Sequence, residues 1–167
     1  MSVIRHGQFA MTRSIPQGGQ VLTDALSQQF KLSEEEAEQG KAQLNLADIL
    51  ADHGGSQENP PLRVIQPHVD DLVREIRRSL NYYQSQLTEG EQSKNVDQVL
   101  LTGGGSQLQG LDKYAEHKLK LPTAALGVFS QSRFSFPGSS DLGEGRALSV
   151  VCGLAMRGFT SAKAKAA

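Results

Sequence analysis

Apolar and polar positions change period several times along the chain, and each change marks an element. Val3 and Ile4 lead into His6-Gly7, after which Phe9, Met11, Arg13 and Ile15 alternate with Ala10, Thr12 and Ser14. Period-two alternation across a glycine-bearing turn predicts a β-hairpin with a very short first strand. After Gly18-Gly19 the period becomes helical, with Val21, Leu22, Ala25, Leu26 and Phe30 on one face. A second helix is expected from Ser33 to about Ala51. Ser33 and Glu36 form its capping box, Leu32 and Ala37 its hydrophobic staple, and Glu34, Glu35 and Glu36 suit its positive end.

Residues 54–61 have linker composition, and the helix before them is expected to stop near Gly54-Gly55. The longest helix follows, with Pro67 placed in its first turn. Val69, Leu72, Val73, Ile76, Leu80, Tyr83 and Leu87 form its apolar stripe, while Asp70, Arg74, Arg77 and Arg78 face the other way. Asp70 and Arg74 are spaced for an ion pair along that face. Residues 88–95 read as a polar loop. Val99-Leu100-Leu101 reads as a strand buried on both faces. Gly103-Gly104-Gly105 then turns into a helix capped by Ser106 with Gln109 three positions on, and Lys118 and Lys120 suit its negative end. A short strand over about 123–128, a Ser/Gly/Phe-rich loop over 129–144 containing Phe134, and a helix over about 146–157 complete the order. The last helix is apolar at Ala147, Val150, Val151, Leu154 and Ala155. Residues 160–167 are small and basic, and a flexible tail is expected there. Strands mixed with helices in this order predict an α/β layer architecture.

Composition narrows the function. The chain has 167 residues, which favours a single domain. Its 17 Lys and Arg against 18 Asp and Glu give a net charge of −1, and aromatic residues make up 5% with no Trp. Neither a basic field nor a base-stacking platform is present, so nucleic acid is not the expected partner. The single cysteine, Cys152, excludes an intramolecular disulfide and any multi-cysteine zinc site, and its apolar neighbours predict a buried thiol. The most apolar stretch, Ala147 to Met156, is half the length a spanning helix needs, and Met1 to Arg13 carries no apolar signal core. A soluble, cytoplasmic protein without direct membrane insertion is expected.

The triple glycine is the most informative local feature. Glycines that end a strand and open a helix bring bare backbone N–H groups together, a geometry that binds anions and admits a nucleotide close to the chain. Tight turns use glycine for their own reasons, so a structural role stands beside the ligand role. Gly18-Gly19 has the same double meaning. Gly105-x-x-x-x-Gly110 is followed by Leu111 and Asp112, which excludes a P-loop, and Leu108 stands where a dinucleotide fingerprint needs glycine. Glu38 and Lys41 share a helical face, either as a solvated ion pair or as a pair for ribose hydroxyls and a base. His6, His53, His68 and His117 show no ligand spacing, no metal site is expected, and no Gly-x-Ser-x-Gly elbow marks a hydrolase nucleophile.

Five segments in sequence carry a resemblance that covers about Phe9 to Gly158. They are Arg13-Ser14-Ile15-Pro16-x-Gly18-Gly19 with Leu22-Thr23, Glu36-Ala37-Glu38-x-x-Lys41, and Glu75-Ile76-x-Arg78-Ser79-Leu80-x-Tyr82-Tyr83. Leu100-Leu101-Thr102-Gly103-Gly104-Gly105 with Leu108-x-Gly110-Leu111, and Gly153-Leu154-Ala155-Met156-Arg157-Gly158, complete the set. Together they resemble the second half of the PilM family of type IV pilus assembly proteins. FtsA and MreB, of cell division and cell shape, share the architecture, and a fragment of such a filament-forming ATPase is the alternative.

The resemblance implies an actin-like ATPase fold, RNase H-like, of which residues 1–159 are the second-domain portion with a helical insertion at about 31–90. It implies contacts of Gly103, Gly104 and Gly105 with the adenosine and its phosphate, of Glu38 and Lys41 with the ribose and base, and proximity of Gly19 to the nucleotide. The expected cofactor is ATP with Mg, held here by a half-site only. The family's first, central strand of this domain, and its whole first domain, have no counterpart in the sequence. The chain alone is therefore expected to be no competent enzyme. PilN is the implied partner, through the absent first domain, at the inner face of the inner membrane. Unpaired strand edges make a homodimer a further expectation.

Overall fold

The computed structural model describes residues 1–51, 59–87, 96–129 and 145–164. The expected helix stop at Gly54-Gly55, the 88–95 loop, the segment from 130 to 144 and residues 165–167 lie outside them.

The opening alternation folds as a hairpin. Strand β1 (Ser2–Arg5) pairs antiparallel with β2 (Gln8–Thr12), and His6 and Gly7 turn the chain with φ of 51° and 73°. A register shift between Val3 and Ile4 sets Ile4 opposite Phe9, and both lie exposed on the surface. Helix α1 (Gly19–Phe30) follows, and Leu26 and Thr23 are its buried residues. Helix α2 (Glu34–Ala42) starts with the expected capping box: Glu36 N–H donates to Ser33 Oγ at 3.3 Å and Ser33 N–H donates to Glu36 Oε2 at 2.8 Å.

Helix α2 stops well short of Ala51. Leu44 and Leu46 are both buried, two residues apart, a spacing that a helix cannot place on one face. Between them Asn45 forms an isolated parallel bridge with Gln109, and Leu46 N–H donates to Gln109 O at 2.9 Å. Only then does the short α3 (Ala47–Leu50) form.

Helix α4 (Pro60–Ser85) begins seven residues before the expected Pro67, which lies inside it. Asn59 Oδ1 accepts from Leu62 N–H at 3.3 Å, and Pro60-Pro61 occupy the first turn, where missing N–H groups cost nothing. Pro67, which has no N–H to donate to the helix, lies on its exposed side. The earlier start adds Leu62 and Ile65, both fully buried, to Val69, Val73 and Leu80 of the expected stripe. The polar face is paired differently from the expected Asp70–Arg74 contact: Arg74 meets Asp71 at 2.5 Å, and Asp70 turns to the next layer.

That layer is helix α5 (Leu111–Leu119), capped by Gly110. Tyr114, fully buried, donates its hydroxyl to Asp70 Oδ1 at 2.8 Å, and Lys118 Nζ reaches the same oxygen at 3.0 Å. Burial first, and then Asp70, push the Tyr114 phenol above its usual range, while Asp70 raises Lys118. One core thus joins α1, α2, the 44–46 segment, α4 and α5 through Leu26, Ala37, Leu46, Ile65, Val69, Leu111 and Tyr114.

Strand β3 (Val99–Leu101) pairs in parallel with β4 (Thr123–Ala125), which is shorter than the expected 123–128. Val99 and Leu101 face the core, but Leu100 is 48% exposed, so β3 is covered on one face and not on both. The two sheets have two strands each, β1-β2 and β3-β4, and no strand joins them among the described residues. Helix α6 (Ser149–Ala164) follows a 3₁₀ turn at Arg146–Leu148. Val150, Val151 and Leu154 of α6 are more than half exposed and Cys152 is half-buried, not the buried thiol expected.

Candidate functional site

Helix α1 begins at Gly19 and α2 lies beside it, held by one triangle of polar contacts. Lys41 Nζ donates to Glu38 Oε2 at 2.6 Å, to Thr23 Oγ1 at 2.9 Å and to Gly19 O at 3.4 Å. Thr23 donates to the same Glu38 oxygen at 2.6 Å. The Lys41 side chain is 14% exposed and that of Glu38 58% exposed. Lys41 first, and Thr23 second, hold the Glu38 carboxyl below the usual carboxylate range, against a smaller opposing effect of burial. Glu38 is thus a carboxylate at neutral pH, with both contacts on one oxygen.

The opposite wall is the glycine turn. Gly103 has φ 91° and ψ 175°, a backbone region that only glycine occupies readily. Its N–H donates to Arg146 O at 2.9 Å and its carbonyl accepts from Ser106 Oγ at 2.7 Å. Ser106 therefore locks the turn instead of capping a helix, and the segment Gly104–Gln107 is a single 3₁₀ turn. Arg146 Nη1 donates to Ser106 O at 2.9 Å, which clamps the turn from the chain's far end. At Gly104 and Gly105 an added Cβ would meet nothing within 4 Å, and neither has a positive φ. Their lack of side chains answers no demand of the surrounding chain; it leaves the backbone open.

Between the two walls runs a cleft of about 910 Å³. Gly19, Glu38, Lys41, Gly104 and Gly105, expected to share one ligand, all line it; Gly103, expected with them, is not among the lining residues and instead shapes the turn. Gln20, Glu34, Glu35 and Gln107 add polar groups, and Gln20 Nε2 is drawn to Glu34 Oε1 at 3.0 Å. The charged side chains lining the cleft are Glu34, Glu35, Glu38 and Lys41, so it favours a hydroxyl- and N–H-rich ligand over a polyanion. Under it, Gln109 Nε2 donates to Ala42 O at 3.0 Å and ties the two walls together.

Thr23 and Arg146 were not legible as site residues. A lone threonine three positions before Leu26 reads as part of a buried face, and Arg146 acts through backbone carbonyls, which leave no spacing pattern.

The family described as type IV pilus assembly protein PilM matches residues 1–159. Among solved structures, a chain of a PilM–PilN type IV pilus biogenesis complex superposes with a TM-score of 0.69 at 26% sequence identity, over 94% of this chain. The match spans 41% of the length of that neighbour. No described helix is long and apolar enough to cross a membrane. A family match over residues 1–159, with a solved neighbour from a PilM–PilN complex beside it, shows that this chain belongs to the type IV pilus assembly protein PilM family.

Proposed function

We propose that the chain is a scaffold component of type IV pilus assembly carrying the adenosine-facing half of a nucleotide site. The observation that carries this reading is the convergence of Gly19, Glu38 and Lys41 with Gly104 and Gly105 on one cleft. Glu38 Oε2 is taken by Lys41 and Thr23, which leaves its other carboxylate oxygen to accept from ribose hydroxyls. The open backbone at Gly104 and Gly105 gives a flat base a surface to lie on.

The residues fit the adenosine portion of ATP. They fit the triphosphate poorly, because Glu34, Glu35 and Glu38 outweigh Lys41, and no group of three or more His, Cys, Asp or Glu among the described residues is placed to hold a metal ion. No step through Mg or the phosphates is assigned to this chain. Phosphoryl transfer needs the phosphate clamped from both sides, so the chain alone is read as no enzyme. In this reading it is the second-domain portion of an actin-like fold, with a further strand belonging between the hairpin and β3. Its partner is PilN, with which the solved neighbour forms a complex, at the cytoplasmic face of the inner membrane.

Calorimetric titration of the chain with AMP tests the site. Saturable binding is expected, and Glu38→Gln should weaken AMP about tenfold by removing a charged acceptor. Absence of saturation at about 1 mM AMP, or a Glu38→Gln variant that binds AMP like the parent, would refute the assignment.

A further inference from the structure

We propose that Thr23 is the positioning residue of this cleft: its buried hydroxyl, itself outside the cleft lining, joins Lys41 in a clasp that holds Glu38 in place. The proposal rests on the nucleotide reading above and says how that half-site is kept preformed.

The geometry carries it. Thr23 is 1% exposed and lies behind the cleft wall. In the middle of a helix, a threonine hydroxyl commonly bonds back to the carbonyl four residues earlier. Here that alternative, Gly19 O, is 3.3 Å away, while Glu38 Oε2 on the neighbouring helix is 2.6 Å away. The hydroxyl hydrogen belongs to the shorter, charge-assisted contact. Its lone pair accepts from Lys41 at 2.9 Å. The three groups close a ring in which Lys41 donates to Thr23, Thr23 donates to Glu38, and Lys41 donates to Glu38. Each bond polarises the next.

The donor inventory decides the role of Lys41. An ammonium has three hydrogens, and Glu38, Thr23 and Gly19 O provide three acceptors. With its side chain mostly buried, Lys41 has no hydrogen left for a phosphate unless it abandons one of these partners. The remaining charged groups of the cleft, Glu34 and Glu35, are carboxylates on α2 and add no second cation. What the ligand meets is therefore the outer oxygen of Glu38, aimed by two groups behind it. Without the hydroxyl, Glu38 would keep Lys41 as its one partner, and Lys41 would reach α1 only through the longer contact to Gly19 O at 3.4 Å.

The test compares the parent with Thr23→Val, which keeps shape and removes the hydroxyl, and with Thr23→Ser, which restores it. AMP affinity is read by calorimetry, and the Glu38 carboxyl is followed by carbon NMR against pH. The expected result for Thr23→Val is about tenfold weaker AMP binding and a Glu38 carboxyl that titrates higher, with both restored in Thr23→Ser. A merely structural threonine would lower the melting temperature without moving the Glu38 titration. Unchanged AMP binding or an unchanged titration in Thr23→Val would overturn the proposal, as would a serine variant that fails to restore them. Should Thr23→Val not fold, Thr23→Ala serves the same comparison. If the parent binds no AMP, the nucleotide reading falls, while the carboxyl titration still decides whether the clasp exists.

Discussion

Replacing Gly110 by alanine is expected to destabilise the fold by about 2–5 kcal/mol. Gly110 has φ 72° and begins α5 directly after the bridge that ties Gln109 to Asn45. Holding alanine in that left-handed region costs about 1–2 kcal/mol. Its Cβ would also stand 2.5 Å from Ala47 N and 3.1 Å from Ala47 Cβ, and would press on Asn45 Oδ1. The first is a backbone atom that cannot rotate away, and the last is already committed to Ala47 N–H at 3.1 Å. Forcing such overlap adds about 1–3 kcal/mol. For a domain of this size the melting temperature should fall by about 5–15 °C. Thermal unfolding followed by circular dichroism gives the value directly. Gly104→Ala is the control, because its Cβ enters open space with no positive φ, and it should stay within about 0.5 kcal/mol of the parent. A Gly110→Ala variant that melts within about 2 °C of the parent, or a Gly104→Ala variant that falls as far, would refute the reasoning.

Tyr114→Phe removes the hydroxyl bond to Asp70 while keeping the ring, and urea unfolding should show a loss of about 1–2 kcal/mol. Glu36 is held below its ordinary value of 4.5 by Ser33, and Glu38 by Lys41 and then Thr23. A carboxyl lowered on folding adds stability that is complete above its unfolded value and is lost as pH falls through the lower folded value. The melting temperature should therefore be level near neutrality and decline below about pH 4.5, and Lys41→Met should make that acid decline shallower; an identical acid limb in the variant would count against the clasp.

The hydrophobic pattern was most informative where a helix needed only its own residues. The Ser33–Glu36 capping box and the Val69, Val73, Leu80 stripe follow from spacing alone, and both stand in the structure. It misled where tertiary contacts override local preference. A helix was expected to run on to about Ala51, yet the core claims both Leu44 and Leu46, and Gln109 takes the backbone between them. Pro60-Pro61 resembled a linker until Asn59 supplied a cap. Leu100 looked interior because three apolar residues in a row do not say which faces will be covered. For the site, Glu38 and Lys41 were legible as neighbours three apart. The approach of Gly104 and Gly105 to them was not, since no local spacing spans more than sixty residues; it came from the family resemblance.

The Asn45–Gln109 bridge has a consequence for when the cleft comes into being. One wall, α1 and α2, is synthesised long before the other, and the tie beneath them joins residues on either side of the whole of α4. Closing so long a loop must precede any contact of one molecule with both walls, and such non-local contacts form late. No nascent segment ending before Gln109 can hold a ligand there. A molecule bound across the cleft will select only the closed chain, so it will slow hydrogen exchange at Leu46 in the floor and at Gly103 in the turn together, and raise the free energy of global opening without speeding the first helices.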